Sequence, residues 1–367
     1  MTAARIRVGI IGASPSRGWA KTAHIPALSA LDEYEITAVA ASREESAREV
    51  AAELGIGHAL TDPRRLAALP DVDLVVVTVK VPAHDELVRA ALDAGKHVYC
   101  EWPLARTTEE AGGLARLAHD AGVHHVIGLQ AREAPAVTYA RELIAGGYVG
   151  RVTSVTAYAA LGAGADARVP EAIAYTKEAA NAAGALEIIG GHTLDAVEHL
   201  VGEISELSAL LSLQRPRHTV VETGETVRAD TPDHVLVSGL LRDGGVVSAH
   251  FHTGKVTNPR CQIEVAGTDG DLVLAGPVGG IQLTELTLSG GQGAPAGELA
   301  IPSEHRTAPD GLPVPAVHVA QLYQRLAEDL RTGGHGAADF DAAVRIHALL
   351  DAIRESAATR TRVVVGR

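Results

Sequence analysis

The sequence predicts an α/β protein with an N-terminal Rossmann-type, doubly wound parallel sheet and a C-terminal α+β domain built on a large, mainly antiparallel open sheet. Three observations predict it. Near-continuous apolar runs alternate with helical stretches as far as Gln130; the rhythm then changes to a succession of short strand-like segments; and 367 residues exceed the usual single domain. The expected domains are 1–130 and 131–367.

Arg5 to Ile11 reads as a buried strand running directly into a turn with Gly12, Ser14, Pro15, Ser16 and Gly18, before a helix begins near Trp19. Glu35 to Ser42 is a second strand. Val72 to Val79, an unbroken apolar run after Pro70-Asp71, has the composition of a parallel strand covered on both faces. Arg43 to Leu54 and His84 to Ala94 read as helices, and Gly95 stops the second of them before the strand His97 to Glu101. Thr107 to Ala121 is a helix ended by Gly122, followed by the strand His124 to Gln130. After a helix from Ala134 to Ala145, Val152 to Tyr158 opens a new pattern. From Ile204 to Leu288, strand-like segments are punctuated by turns such as Arg242-Asp243-Gly244-Gly245 and Thr268-Asp269-Gly270, as in an antiparallel sheet. Val319, Leu322, Tyr323, Leu326 and Leu330 form one helical stripe, and Ile346, Leu349, Leu350 and Ile353 another; both helices are expected to cover a face of that second sheet. Gly290 to Gly297 is a low-complexity loop.

Aromatic residues make up only 3% of the chain, so its core must be aliphatic. A net charge of −13 leaves no basic footprint for nucleic acid or an anionic membrane surface. Cys100 and Cys261, far apart in a long chain, fit neither a disulfide framework nor a zinc cluster, so no metal is expected and both read as reduced thiols. With no export signal and no long uncharged apolar run, the expected location is the cytoplasm.

The strand–loop–helix at Gly12 is where a dinucleotide is held, because glycine lets the backbone approach a pyrophosphate and a helix N-terminus offers free N–H groups. Ser14 replaces the usual second glycine, and the loop is longer than the standard fingerprint before Gly18. Arg17 and Lys21 are available to phosphates. Where an acidic side chain would hold the ribose 2′-hydroxyl of NAD, the chain has Ser42 and Arg43. A hydroxyl beside a guanidinium suits a 2′-phosphate, so NADP is preferred, with NAD retained.

The Gly12 loop, Val75 to Pro82, the stretch Ala94 to Leu104, Gly191-His192-Thr193-Leu194-Asp195 and the closing Asp339 to Ser356 occur in this order. Together they resemble the Gfo/Idh/MocA oxidoreductases over nearly the whole chain. Gly12-Ala13-Ser14, Gly18-Trp19, Glu101-Trp102 and Gly191-His192-Thr193 are similar to the subgroup containing the fungal galactose repressors. The resemblance implies a sugar or polyol site between the domains and association through the C-terminal sheet as a homodimer or homotetramer. It also implies cofactor contacts at Val79, Lys80, His84, Glu101, Trp102 and Gln130. Some members of that subgroup are dinucleotide-responsive regulators.

Family dehydrogenases carry Glu-Lys-Pro after the fifth strand; here Trp102 stands at the lysine position, offering a surface for stacking but no cation. The family's aspartate four residues before its histidine is Ile188 here, while His192 is kept and Asp195 follows three residues later. Expected catalytic groups are His192 as acid/base, with Lys80 or Lys177 supplying the cation. Trp102, Arg132, Lys177, His192 and Asp195 are the expected substrate contacts. The functional readings are an NAD(P)-dependent oxidoreductase acting on a sugar or polyol CH–OH group, a non-catalytic dinucleotide- and sugar-responsive regulator, and an enzyme that keeps its nucleotide bound and uses transient oxidation to eliminate or hydrolyse without net redox. The second is motivated by Trp102 and Ile188.

Overall fold

The structure, a computed structural model, describes residues 4–162, 164–293 and 295–366. Ala163, which opens the irregular segment before Ala180, and Ala294 in the Gly290–Gly297 loop lie outside them. The chain divides into two units, Met1–Gln130 with Ala308–Val344, and Ala131–Thr307 with Arg345–Arg367.

In the first unit β1 (Ile6–Ile11), β2 (Tyr34–Ala40), β3 (His58–Leu60), β4 (Leu74–Val77), β5 (His97–Glu101) and β6 (His125–Gly128) make one parallel sheet, ordered β3-β2-β1-β4-β5-β6. The chain winds outward from β1 to β3 and then returns to β4, so the carboxyl ends of β1 and β4 flank the switch point where such sheets bind ligands. The helices are α1 (Ile25–Ser29), α2 (Glu44–Leu54), α3 (Pro63–Ala67), α4 (His84–Asp93) and α5 (Thr108–Ala121). Their ends follow local chemistry. Thr107 caps α5 by accepting from the Glu110 N–H at 3.1 Å, and Gly55 and Gly122 close α2 and α5 with φ of +69° and +63°. Neither β3 nor α3 was expected: three half-buried residues at a sheet edge have no alternation to read.

In the second unit come α6 (Pro135–Ala145), β7 (Val152–Ala160), β8 (Arg168–Val169), α7 (Glu171–Ala174), α8 (Gly191–Val201), β9 (Ile204–Ser212), β10 (Arg217–Val220) and β11 (Thr226–Arg228). These are followed by β12 (His234–Leu241), β13 (Val246–His252), β14 (Arg260–Gly267), β15 (Asp271–Gly276), β16 (Thr287–Gly291), β17 (Gly297–Glu298) and, near the end, β18 (Val363–Val364). Nine of these strands form a sheet ordered β17-β16-β15-β14-β7-β13-β12-β9-β18; its neighbours are antiparallel except for β7 and β13. β8, β10 and β11 form a separate small sheet. Alternation decides the faces. Val235, Val237, Val247, Ala249, Ile263 and Val265 point inward, whereas Thr156, Ser238, Ser248, Leu210 and Leu236 point outward.

Two long helices complete the chain, α9 (Val314–Thr332) and α10 (Phe340–Thr359). The expectation that α9 covers the second sheet is corrected. Ala316, Val319, Ala320, Leu322, Tyr323 and Leu326 share one hydrophobic cluster with Val8, Ile10, Leu28, Val39, Leu74, Val76 and Tyr99 of the parallel sheet and its helices. The stripe was read correctly, but an apolar stripe fits any aliphatic sheet face, and its partner is not written in it. Polar bonds select this one. The Tyr323 hydroxyl lies 2.7 Å from His24 Nδ1, whose Nε2 lies 2.9 Å from Glu101, and the Tyr34 hydroxyl donates to the Tyr323 carbonyl at 2.7 Å. Beyond α9, the Ile127 N–H donates to the Ala338 carbonyl at 2.9 Å, beside β6.

Tyr323→Phe keeps the ring but strips a partner from a buried imidazole. Urea unfolding of this variant is expected to show a loss of about 1–3 kcal/mol; an unchanged midpoint would show that the His24 contact contributes nothing to holding α9.

Candidate functional site

At the end of β1 the chain leaves the sheet through Gly12, at φ +102°. A Cβ here would meet Thr78 Oγ1 at 2.8 Å and Val79 Cγ1 at 2.9 Å, so only glycine fits against the end of β4. The N–H groups of Gly12 and Ala13 both donate to the Ala40 carbonyl, at 2.9 and 3.3 Å, which commits them to the sheet. The donors left for a phosphate lie further on. Ser16, Arg17 and Gly18 are exposed and, among the described residues, their N–H groups make no backbone hydrogen bond. Gly18, at φ +94°, then leads into a wide turn at Ala20–His24 and on into α1. Ser14 and Trp19 are half-buried in this loop, and Trp19 Nε1 is buried without a partner. Gln130, beyond β6, is buried with its Oε1 unpaired. A glycine turn at the switch point, uncommitted N–H groups and orphaned polar atoms fit a nucleotide.

Ser42 and Arg43 are exposed immediately after β2, where the Arg43 guanidinium rests 3.2 Å from Ser46 Oγ. Val79 and Lys80 follow β4, with Lys80 exposed. His84, an expected cofactor contact, lies between two loops. It is buried, with Nδ1 2.8 Å from the Pro103 carbonyl and Nε2 3.0 Å from the Val79 carbonyl, so it ties the loop after β4 to the loop after β5. Burial lowers its pKa, against the pull of those carbonyls. Glu101 is likewise engaged, by His24, and its carboxylate crowds Gly128, where a Cβ would come within 2.6 Å of Oε1. Trp102 is buried beside it and precedes Pro103 through a cis peptide. Sequence reasoning missed His24 and Tyr323, whose partners are 77 and 299 residues away from His24 along the chain.

The second unit carries the other expected residues on α8 and in the irregular segment before it. His192, in the first turn of α8, is 4% exposed; its Nδ1 has no partner and burial drives its pKa down to about 3, so the imidazole is neutral. Asp195 does not orient it. Both Asp195 oxygens are bound by Arg132, Nε to Oδ2 at 2.8 Å and Nη2 to Oδ1 at 2.5 Å, so these two expected substrate contacts meet each other in a buried bidentate pair.

Lys177, expected as either a solvated charge or a site cation, is 8% exposed. It lines a cavity of about 170 Å³ within this unit together with Ile173, Ile188, Ile189, Leu213, His218 and Asp233. Ile188, standing where the resemblance expects an aspartate, is therefore part of a cavity wall. His218 and Asp233 carried no signal in the sequence, because one sits in a short strand and the other in a turn.

Two family models match the chain: "Oxidoreductase family, NAD-binding Rossmann fold" over residues 6–129, and "Gal80p, C-terminal domain" over residues 135–276. Dehydrogenase aclE of Aspergillus oryzae is 36% identical, covering 74% of this chain and 77% of that protein. The galactose/lactose metabolism regulatory protein GAL80 of Saccharomyces cerevisiae is 30% identical, covering 78% and 70%. Among solved structures, levoglucosan dehydrogenase in complex with NADH and L-sorbose superposes with a TM-score of 0.86 at 26% identity, covering 99% of each chain.

The chain belongs to the Gfo/Idh/MocA oxidoreductase family.

As a member of that family it has an NAD-binding Rossmann fold and a mainly antiparallel second sheet, and its relatives include both sugar dehydrogenases and regulators. In this Gfo/Idh/MocA chain α8 also bears Glu198, whose Oε1 accepts from the Ile204 N–H at 3.0 Å. Burial raises its pKa to about 7, with the Ile204 bond opposing and the Asp195 charge adding. Folding therefore takes up a proton between the unfolded value, near 4.5, and about 7. The associated stability is complete below that lower value and is lost as pH rises through about 7. Glu198→Gln keeps an acceptor for Ile204 but cannot ionise. Between pH 5 and 8 the wild type is expected to lose stability relative to the variant, by on the order of 1–3 kcal/mol. Parallel unfolding curves at all pH values would place Glu198 in solvent.

Proposed function

We propose that this protein is an NAD(P)-dependent oxidoreductase acting on a CH–OH group of a sugar, polyol or sugar derivative. His192 carries the reading. A neutral imidazole, buried and unsatisfied at Nδ1, is costly to keep unless a ligand completes it, and it occupies the position of the family's acid/base. The neutral form accepts a proton from a carbinol hydroxyl without first losing one. Lys80, at the carboxyl end of β4, or the buried Lys177 supplies the cation that Trp102 does not. The Arg132–Asp195 pair holds α8 in place for this step.

The cofactor is held by Gly12, Ser14, Arg17, Gly18 and Trp19 at the pyrophosphate end, and by Val79, Lys80, Glu101, Trp102 and Gln130 further along. His84 contributes by fixing the two loops rather than by contact. When bound, the nicotinamide accepts or delivers the hydride. Ser42 and Arg43 favour NADP over NAD, since they present a hydroxyl and a guanidinium where NAD recognition needs a carboxylate. NADH in the structure of a sugar-dehydrogenase relative supports the nucleotide reading in its broader form. The two thiols, Cys100 and Cys261, are buried and form no disulfide, in keeping with a cytoplasmic location. No helix among the described residues is long and apolar enough to cross a membrane.

A second reading is favoured by Trp102 and Ile188 and by the regulatory relatives: a dinucleotide- and sugar-responsive regulator without turnover, acting through a protein partner. In either case the chain pairs through the open sheet face, where Leu210, Leu236 and Val246 are 55%, 43% and 52% exposed among uncharged Thr156, Ser238 and Ser248.

Nicotinamide reduction followed by absorbance, with NADP or NAD against a panel of sugars and polyols, separates the two readings. Turnover is expected, and His192→Ala is expected to lower kcat by about 10²–10⁴ while retaining cofactor binding. Unchanged turnover removes His192 from the mechanism; tight binding without turnover by the wild type favours the regulator. For the assembly, Leu236→Asp is expected to reduce the mass seen by light scattering to that of a single chain, and a wild type already monomeric refutes pairing.

A further inference from the structure

The cavity of the second unit holds two buried polar side chains that the fold leaves uncompleted. Lys177 makes no hydrogen bond and no ion pair among the described residues, although it is only 8% exposed. Its nearest electrostatic partner, Asp233, is already engaged: Oδ1 and Oδ2 accept the N–H groups of Gln214 and Arg215, each at 2.8 Å. His218, on β10 and 4% exposed, has no partner at Nδ1. Both groups converge. A Cβ built on Gly164 would stand 3.4 Å from Lys177 Nζ and 3.5 Å from His218 Nδ1, so the two nitrogens flank a single point.

This arrangement is held from behind. The Asp230 N–H donates to the Lys177 carbonyl at 3.0 Å, the Ala179 N–H to Asp230 Oδ1 at 2.6 Å, and the Thr231 hydroxyl to the Thr176 carbonyl at 3.3 Å. The lysine is thus mounted on a braced turn at Tyr175–Lys177 instead of a free loop. Opposite the nitrogens the wall is aliphatic, with Ile173, Ile188, Ile189, Leu213 and Pro232. At about 170 Å³ the space lies below the ~300–1,000 Å³ of pockets for drug-sized ligands, which limits the occupant to a small molecule.

We propose that this cavity binds a small monocarboxylate with an apolar body, its carboxylate held between Lys177 Nζ and His218 Nδ1 and its hydrocarbon part against Ile173, Ile188, Ile189 and Leu213. A largely buried ammonium whose neighbouring carboxylate, Asp233, already accepts two N–H groups is completed by an anion, and that anion favours the imidazolium of His218, which donates from Nδ1 while its other N–H serves the Arg215 carbonyl. The aliphatic wall selects against a polyhydroxylated body, which would leave its hydroxyls unsatisfied there. This assignment takes Lys177 for the carboxylate and leaves Lys80 as the cation of the proposed oxidoreductase; binding requires no nucleotide.

The test is isothermal titration of the full chain with benzoate, benzamide, D-glucuronate and inorganic phosphate, without nucleotide. Benzoate is expected to bind, with benzamide, glucuronate and phosphate each weaker by about tenfold or more. Equal binding of benzamide would remove the anion site, and equal binding of glucuronate or phosphate would remove the apolar selection. Lys177→Met supplies a matched aliphatic chain in place of the unpaired charge. It is expected to abolish benzoate binding and to raise the Tm of the ligand-free protein by about 2 °C or more. A lower Tm would mean that Lys177 is a paired structural residue and would overturn the proposal. His218→Asn, at the edge of the small sheet, is expected to weaken benzoate about threefold to tenfold; undiminished binding there would separate His218 from the carboxylate.

Discussion

The chain of hydrogen bonds from Glu101 through His24 to Tyr323 is the interaction on which the first unit's organisation depends. It links the end of β5, the wide turn after the glycine loop, and a helix that arrives almost three hundred residues after the turn. The aliphatic cluster beneath α9 supplies most of the favourable free energy, but apolar contact is non-directional. A buried carboxylate, imidazole and phenol in series have one arrangement that satisfies them, and leaving any of them unpaired is costly. This is how Ala308–Val344 comes to group with the first unit although it follows the whole second sheet in sequence.

The same logic explains the use of polar groups in an interior that has few aromatics. His84 lies between the Pro103 and Val79 carbonyls and, as the neutral ring its burial favours, donates to one of them, at the loops that follow β5 and β4. Arg132 and Asp195 neutralise one another, and the pair anchors α8 to the short helical turn after Gln130. Against that background, several buried atoms have no partner, among them Gln130 Oε1 and Trp19 Nε1 in the first unit and His192 Nδ1 and His218 Nδ1 in the second, where Lys177 also lines the cavity. Each is held in place by a fold that gains nothing from burying it unpaired, and such groups are where ligand chemistry is to be sought.

The substitutions that set this chain apart from the family's usual dehydrogenases are consistent with one another. Trp102 for lysine and Ile188 for aspartate both replace charge by hydrophobic surface, and Ile188 forms part of an aliphatic cavity wall rather than a partner for His192. Lys177 lines the same cavity, and Lys80 is exposed after β4.

The sequence by itself determined the local structure and the class of protein. Periodicity marked five of the six parallel strands and the major helices, because side-chain alternation and helical stripes are local properties, and Gly12 was legible because a tight turn beside a strand demands it. Its residues also carried the family resemblance. Only the tertiary structure decided which groups complete one another. Whether Asp195 serves His192 or Arg132, whether Lys177 is solvated or enclosed, and which sheet the α9 stripe covers all depend on contacts between segments far apart in the chain. The free energy of a buried polar group is set by those contacts and not by its neighbours in sequence.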